Sequence, residues 1–171
     1  MSKSRVDEFP PRRHGKTASV HASGEARVEA SGPGLRVDDV MSRELYTLSG
    51  DDSIATALEL MDAHKIRHAP VVDVNGLVVG IVSDRDLRAY NLPSPLQVRD
   101  PGLHSAFLAT PLVEVMGTTV ICVPRGEPLR TAAEQLLEDG VGLVVVVEPD
   151  APRPCGVISY LDVLRVAIPL L

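Results

Sequence analysis

Two short segments of the chain place a serine and an aspartate where a phosphorylated ligand could be held. GIVSDRD runs from Gly80 to Asp86, and GVISYLD runs from Gly156 to Asp162. In both, an aliphatic run ends at a serine, and an aspartate follows three residues later. A helix that starts here would present unpaired N–H groups and a partial positive charge, which favour a phosphate. The serine adds a hydroxyl donor, and the aspartate can accept hydrogen bonds from ribose hydroxyls.

The same spacing also has a purely structural interpretation. Ser83 with Asp86, and Ser159 with Asp162, form the S-x-x-D pattern of a capping box. There the serine accepts from the third backbone N–H of the helix while the acid reaches back to the N-cap. The spacing alone does not separate a helix cap from a ligand site, because both use the same helix N-terminus.

The two segments occupy equivalent positions in a duplicated module. At an offset of 75, Val40–Met41 falls on Val115–Met116. After one inserted residue the offset becomes 76, and Gly80 falls on Gly156. Residue type and spacing agree over about fifty positions, which indicates a tandem repeat of one structural unit.

Each repeat predicts the element order β-α-β-β-α. A short strand covers residues 45–48 or 119–123, and a helix covers 53–64 or 128–139, with Pro128 suited to its first position and Gly140 to its end. Two strands follow, joined by an Asn75–Gly76 turn in the first repeat and a longer Pro-rich turn in the second. A last short helix starts at the serine of each heptapeptide. We therefore predict a mixed α/β (α+β) fold with two three-stranded sheets, each covered by helices on one side.

The predicted organisation has four parts. Residues 1–34 are small, polar and without apolar period, which predicts a disordered or loosely attached tail. The first repeat covers 35–90 and the second covers 112–171, with residues 91–111 as a linker.

The stretch IRHAPVVDVNGLVVGIVSDRDL closely resembles a CBS domain, and two such units in tandem resemble a CBS pair, or Bateman module. The resemblance covers about residues 36–168. It implies two units in pseudo-twofold contact with two clefts between them. It also implies a regulatory module rather than an enzyme, with no catalytic residues and no required cofactor. The implied regulatory ligand contains adenosine: AMP, ADP, ATP or S-adenosylmethionine.

By matching position, the resemblance assigns phosphate contact to Ser83 and ribose contact to Asp86 in one cleft. Ser159 and Asp162 take these roles in the other cleft, and Arg85 could add a phosphate contact. Adenine would be held by the segment before the middle strand of each sheet and by the short first strand. These implied residues are Ile66, Arg67, His68, Leu45, Tyr46, Val120, Ile121, Val141 and Gly142. Each cleft is expected to mix residues of both repeats, so that Ile66 could serve the cleft of Asp162.

The two clefts are predicted to differ. In the second repeat Leu143–Val145 replaces His68–Pro70, and Tyr160–Leu161 replaces Asp84–Arg85. The second repeat thus lacks an arginine at the position of Arg85. In the first repeat, Asp84 would repel an anion. We expect one working nucleotide site, with two as the alternative.

Composition disfavours several other functions. The net charge is −6, with a balance of +2 in residues 1–34 and −8 in the remainder, which argues against a nucleic-acid surface outside the tail. No apolar stretch reaches membrane-spanning length, and the polar start lacks a signal-peptide core. The two cysteines form no C-x-x-C motif, so reduced thiols and a cytoplasmic location are expected. His64 and His68 are four apart, but Pro70 argues against one helix across both, so no metal site is predicted.

The resemblance to a CBS pair thus implies a ligand-sensing module that works as a homodimer and signals through an effector protein or self-association. The alternative is a structural dimerisation module without a nucleotide. A third hypothesis, nucleic-acid binding by the basic tail, is ranked below both.

Overall fold

The computed structural model describes residues 34–91 and 101–170. The predicted tail, apart from its last residue, and the first part of the linker lie outside these ranges. The elements are α1 (Val37–Val40), β1 (Leu48–Ser49), α2 (Ile54–His64), β2 (His68–Val72), β3 (Val78–Ser83), α3 (Asp84–Asn91), α4 (Pro101–Leu108), β4 (Cys122–Pro124), α5 (Leu129–Glu138), β5 (Leu143–Val147), β6 (Pro154–Ser159) and α6 (Tyr160–Ala167). Two 3₁₀ turns cover Leu112–Glu114 and Ile168–Leu170.

The two predicted three-stranded sheets are confirmed, with strand orders β1-β2-β3 and β4-β5-β6. In each, the first strand is parallel to the middle strand and the third is antiparallel to it. The ladders share one register: His68 pairs with Ser83 in the first sheet, and Leu143 pairs with Ser159 in the second. The middle strands are largely buried, as expected for Val-rich runs covered by helices.

Local chemistry explains where the repeated helices begin and end. Ser53 caps α2 by accepting the Thr56 backbone N–H at 3.1 Å. Gly140 follows α5 with φ of 63°, and Gly76 turns the β2–β3 hairpin with φ of 75°. Both angles lie in the left-handed region that glycine adopts without strain. Pro128 was predicted at the first helical position of α5, but it is the N-cap residue, one position earlier.

Several predicted bounds were wrong. The strand predicted over 45–48 begins only at Leu48, and that predicted over 119–123 begins at Cys122. The segment predicted as a linker contains α4, and α1, for which no prediction was made, precedes the first strand. Such short elements depend on tertiary partners more than on their own apolar period.

Each repeat completes its core with a segment that precedes the first strand of the other repeat. Val37 and Met41 lie in the core built on the second sheet, while Leu112 lies in the core built on the first. Backbone hydrogen bonds hold each segment in the other repeat. The Val37 N–H donates to the backbone carbonyl of Glu127, and the Leu112 N–H donates to that of Asp52. The repeats therefore follow one another along the chain but are interlocked in space.

A methionine of each exchanged segment packs on the glycine of a heptapeptide. A Cβ on Gly80 would overlap Met116 Sδ, and one on Gly156 would overlap Met41 Sδ. Both glycines are buried in the third strand of a sheet. The glycine that begins each heptapeptide thus makes room for a neighbour from the other repeat.

Candidate functional site

The first heptapeptide forms the predicted capping box at the junction of β3 and α3. The Asp86 carboxylate accepts the Ser83 backbone N–H at 3.1 Å and the Ser83 hydroxyl at 2.5 Å. The Ser83 hydroxyl oxygen in turn accepts the Asp86 N–H at 3.2 Å. The serine and the aspartate are therefore held together at the start of a helix, with part of their hydrogen-bonding capacity used by each other.

The second heptapeptide forms the equivalent box at the junction of β6 and α6. The Asp162 carboxylate accepts the Ser159 N–H at 2.9 Å and the Ser159 hydroxyl at 2.6 Å. Its other oxygen accepts a hydrogen bond from Arg165 at 2.9 Å. Asp162 therefore has an arginine partner on its own helix, which is not the arrangement in the first repeat.

Around the first capping box lies a cleft of about 770 Å³ that is lined by both repeats. This volume is within the range of small-molecule sites. The first repeat contributes polar residues: Arg67, His68, Ser83, Asp84, Arg85, Asp86 and Arg88, with Ile81. The second repeat contributes a mostly apolar wall: Thr119, Ile121, Leu136, Leu137, Gly140, Val141, Gly142, Leu143 and Tyr160.

The polar side of the cleft carries three guanidinium groups and two carboxylates. Asp84 lies 2.9 Å from Arg88 and 3.6 Å from Arg67. Burial alone would raise the pKa of Asp84, but the Arg88 hydrogen bond and the charges of Arg88 and Arg67 outweigh it and lower that pKa. The repulsive carboxylate predicted from the sequence is thus ionised and already paired with two of the cations.

His68 lines the cleft and lies opposite Ser83 in the β2–β3 ladder. A Cβ on Gly142 would lie 3.0 Å from the His68 Cε1 and Nε2 atoms, so the imidazole packs on backbone of the other repeat. Burial lowers the pKa of His68 more than the charge of Asp84 raises it. The neutral imidazole is accordingly favoured where the two repeats meet.

Eight of the residues implied by the resemblance line this one cleft: Arg67, His68, Ser83, Arg85, Asp86, Ile121, Val141 and Gly142. The others lie elsewhere. Ile66 packs against the first core and lines a shallow pocket beside α2. The Tyr46 ring stacks on His64 with centroids 3.7 Å apart, and its hydroxyl donates to Glu44. Leu45 is half-buried, and neither it nor Val120 is among the lining residues of the cleft.

Sequence reasoning missed three polar residues of the cleft: Arg88, Thr119 and Tyr160. Arg88 stands four residues after Asp84 on α3, and this (i, i+4) spacing of opposite charges was a usable signal. Tyr160 follows Ser159 directly, yet it lines the cleft of the first repeat. Only the pseudo-twofold relation of the repeats could have placed it there.

Metal and thiol chemistry find no support in the described ranges. Within residues 34–91 and 101–170, no group of three or more His, Cys, Asp or Glu side chains could hold a metal ion. Burial raises the pKa of the Cys122 thiol, and burial together with the Glu148 charge raises that of Cys155. Both cysteines are therefore poor thiolates. None of the helices described is both long and apolar enough to cross a membrane.

Comparison with known proteins agrees with the repeat and its fold. The family model of the CBS domain matches residues 37–92 and again residues 112–168. The chain therefore belongs to the CBS domain family and carries a tandem pair of these domains.

Solved structures of CBS pairs superpose on most of the chain. A putative acetoin utilization protein (AcuB) from Vibrio cholerae is 34% identical, with a TM-score of 0.64 over 80% of this chain and 93% of that one. CBSX2, an Arabidopsis thaliana protein crystallised in complex with AMP, is 29% identical, with a TM-score of 0.65 over 80% and 98%. The CBS pair of protein MJ0100, in complex with 5′-methylthioadenosine and S-adenosyl-L-methionine, is 25% identical, with a TM-score of 0.63 over 77% and 98%.

Two curated relatives are longer than this chain. The matched region spans 43% of a 33.4 kDa protein of Thermofilum pendens and 23% of an inosine-5′-monophosphate dehydrogenase of Methanocaldococcus jannaschii. The chain thus spans less than half the length of each of these two relatives.

Proposed function

We propose that this chain is a regulatory CBS pair that binds an adenosine-type ligand in the cleft between Ser83–Arg88 and the apolar wall of the second repeat. One observation carries the proposal: a single cleft joins a polar helix N-terminus of one repeat to an aliphatic wall of the other. A phosphate and ribose suit the first, and an adenine ring suits the second. The AMP complex of CBSX2 and the S-adenosylmethionine complex of MJ0100 support this class of ligand.

Each group of the cleft has a definite role in this proposal. The α3 N-terminus, with the Ser83 hydroxyl, receives the phosphate. The Asp86 carboxylate accepts from the ribose hydroxyls while it keeps its hydrogen bond from the Ser83 N–H. Ile121 and Val141 contact the adenine face, and Gly142 lets the His68 imidazole pack on its backbone beside them. No bond is made or broken in the ligand, so the proposed role is binding and not catalysis.

Signalling follows from the composition of the cleft. A ligand held by both repeats stabilises whichever relative packing fits it, provided that its affinities for the alternative packings differ. The His68–Gly142 contact lies at that junction. We infer that the changed packing is transmitted to an effector protein or to a second copy of the chain, in the cytoplasm.

The second copy would pack on an apolar face of the second repeat. Leu161 and Leu164 of α6 and the following Ile168 are exposed, and their spacing of three and four residues places them on one face. Exposed apolar surface of this kind is typical of protein interfaces. This face also supports the alternative function, a dimerisation module without a nucleotide. Sedimentation equilibrium tests the homodimer directly, because a monomer at micromolar concentration contradicts it.

Titration calorimetry with AMP, ADP, ATP and S-adenosylmethionine tests the ligand proposal. Asp86→Ala is expected to weaken nucleotide binding by about tenfold or more, since a hydrogen bond to a charged group contributes about 1.5–3 kcal/mol. Asp162→Ala is the matched control, because it removes the equivalent acid from the other capping box. It should change affinity less than about twofold if the first cleft alone works. Equal losses in both variants would indicate two working sites, and no binding of any of the four ligands to the wild-type protein would favour the dimerisation module.

A further inference from the structure

The ion-paired carboxylate of Asp84 stands directly beside the proposed phosphate position. Asp84 follows Ser83 in the chain and is the first residue of α3. Its backbone N–H donates to the Arg67 carbonyl at 2.9 Å, which fixes its position at the cleft edge. Its side chain is 31% exposed and pairs with Arg88 at 2.9 Å. The Asp84 carboxylate is thus ion-paired with arginines that line the same cleft as the capping box.

We propose that Asp84 is a specificity-determining residue that acts as an internal competitor for the phosphate groups of the ligand. The inference rests on the proposed nucleotide site. A nucleotide phosphate bound at the α3 N-terminus needs Arg88 and Arg67 as partners, but Asp84 already holds them. The same carboxylate repels each additional phosphate. Asp84 therefore selects against highly charged nucleotides and favours ligands with one phosphate or none.

The second repeat lacks this competitor. Tyr160 stands at the position of Asp84, and Arg165 pairs with Asp162 at 2.9 Å. In the second repeat, Arg165 therefore pairs with the capping aspartate itself. In the first repeat, Arg88 and Arg67 pair with Asp84, which is not the capping aspartate. The competitor is a property of this chain's first repeat and not of the repeat pattern.

Asp84→Asn is the decisive variant, because it keeps size and most hydrogen bonds while removing the charge. Calorimetry should show that Asp84→Asn binds nucleotides more tightly than wild type, and that this gain grows with the number of phosphates. The expected gain is about twofold for AMP and about tenfold for ATP, with ADP between them. Affinity for S-adenosylmethionine, which carries a cationic sulfonium, should stay unchanged or fall. The gain for ATP should shrink as salt is raised.

Glu134→Gln is the matched control. It removes one negative charge from an exposed ion pair with Arg130 on α5, and neither residue lines this cleft. If Glu134→Gln gives the same gains, the effect reflects net charge and the proposal fails. It also fails if Asp84→Asn changes the affinities for AMP, ATP and S-adenosylmethionine by one common factor, as a purely structural role for Asp84 would.

Inorganic tripolyphosphate separates this inference from the proposed function. It carries the charges of the ligand without adenosine, and its binding is measured by the rise in melting temperature. A larger rise for Asp84→Asn than for wild type supports the competitor even when no nucleotide binds, in which case only the nucleotide proposal fails. An equal rise in both proteins overturns the competitor, whatever the nucleotides do.

Discussion

The two repeats share one backbone plan but differ in the residues that face each other across their junction. The first repeat places Arg67 and His68 at the start of its middle strand, and the second places Gly142 and Leu143 there. The structure joins these differences, since the His68 imidazole packs on the Gly142 backbone. The difference between the repeats that the sequence shows at this position therefore makes the second repeat complementary to the first. A pair of repeats can therefore specialise by assigning the polar groups to one member and the close backbone approach to the other.

Truncation of the exchanged core residues should produce the largest effect on stability. Leu112→Ala removes a fully buried side chain and is expected to lower the free energy of unfolding by about 2–5 kcal/mol. Val37→Ala removes two buried methyl groups and should lower it by about 2 kcal/mol. Urea denaturation measures both, and Val113→Ala, at an exposed neighbouring position, should be close to neutral.

Hydrogen exchange on these variants tests whether each segment serves the other repeat. Leu112→Ala should release the amides of β2 and β3 more than those of β5 and β6, and Val37→Ala should do the opposite. If each variant instead increases hydrogen exchange in the sheet that follows the substituted residue in the chain, the assignment of Val37 and Leu112 to the core of the other repeat is wrong.

Alanine at the paired glycines should give the next largest effect. Gly80→Ala and Gly156→Ala are each expected to lower stability by about 1–3 kcal/mol, because the added Cβ overlaps a methionine sulfur. Both added Cβ atoms also meet a backbone carbonyl oxygen, that of Gly117 at 3.2 Å for Gly80 and that of Ser42 at 3.0 Å for Gly156. Gly156→Ala should therefore be slightly the more severe, since its backbone contact is the tighter one. Thermal and urea denaturation give both values.

Gly117→Ala is the control for these variants. Its Cβ would meet the Ile81 carbonyl oxygen at 3.6 Å, an ordinary contact distance, so little loss is expected. If Gly80→Ala and Gly156→Ala behave like Gly117→Ala, the methionine packing does not explain the glycine of the heptapeptides.

The smallest predicted effect concerns pH and separates His68 from Leu143, its equivalent in the second repeat. Because burial lowers the pKa of His68 in the folded protein, the unfolded chain takes up a proton more readily. Stability should therefore fall as the pH drops below about 6.5, the ordinary histidine value. His68→Leu, which copies the second repeat, should lose less stability between pH 7.5 and 5.5 in urea denaturation. An identical loss in both proteins would show that His68 does not report on this junction.

The sequence predicted elements whose signals are local and missed those that depend on partners. The Ser83 and Ser159 capping boxes, the Asn75–Gly76 turn and the register of the repeat all follow from short-range chemistry. The exchange of Val37 and Leu112 does not, because apolar spacing indicates that a side chain is buried but not which sheet covers it. The two-residue strand β1 is likewise defined by its pairing with β2 and has almost no period of its own.

The candidate cleft was predictable in part for a similar reason. Family resemblance supplied Ser83 and Asp86, and their mutual bonds agree with the capping pattern. Family resemblance did not supply Tyr160 or Arg88. Tyr160 belongs to the second repeat, and Arg88 depends on an ion pair that is specific to α3. Residues that a pattern repeats can be found by alignment, whereas those that distinguish one chain need the geometry.

The exchange of segments has a consequence for the engineering of such chains. Because each sheet is closed by the segment that precedes the other sheet, a fragment with one repeat would lack the closing segment of its own core. It could recover that segment only from a second molecule that gives up the same segment in return, which is the exchange seen in domain-swapped dimers. We therefore expect a stable fragment with one repeat to form a reciprocal dimer, in which two molecules supply what the two repeats supply to each other in this chain.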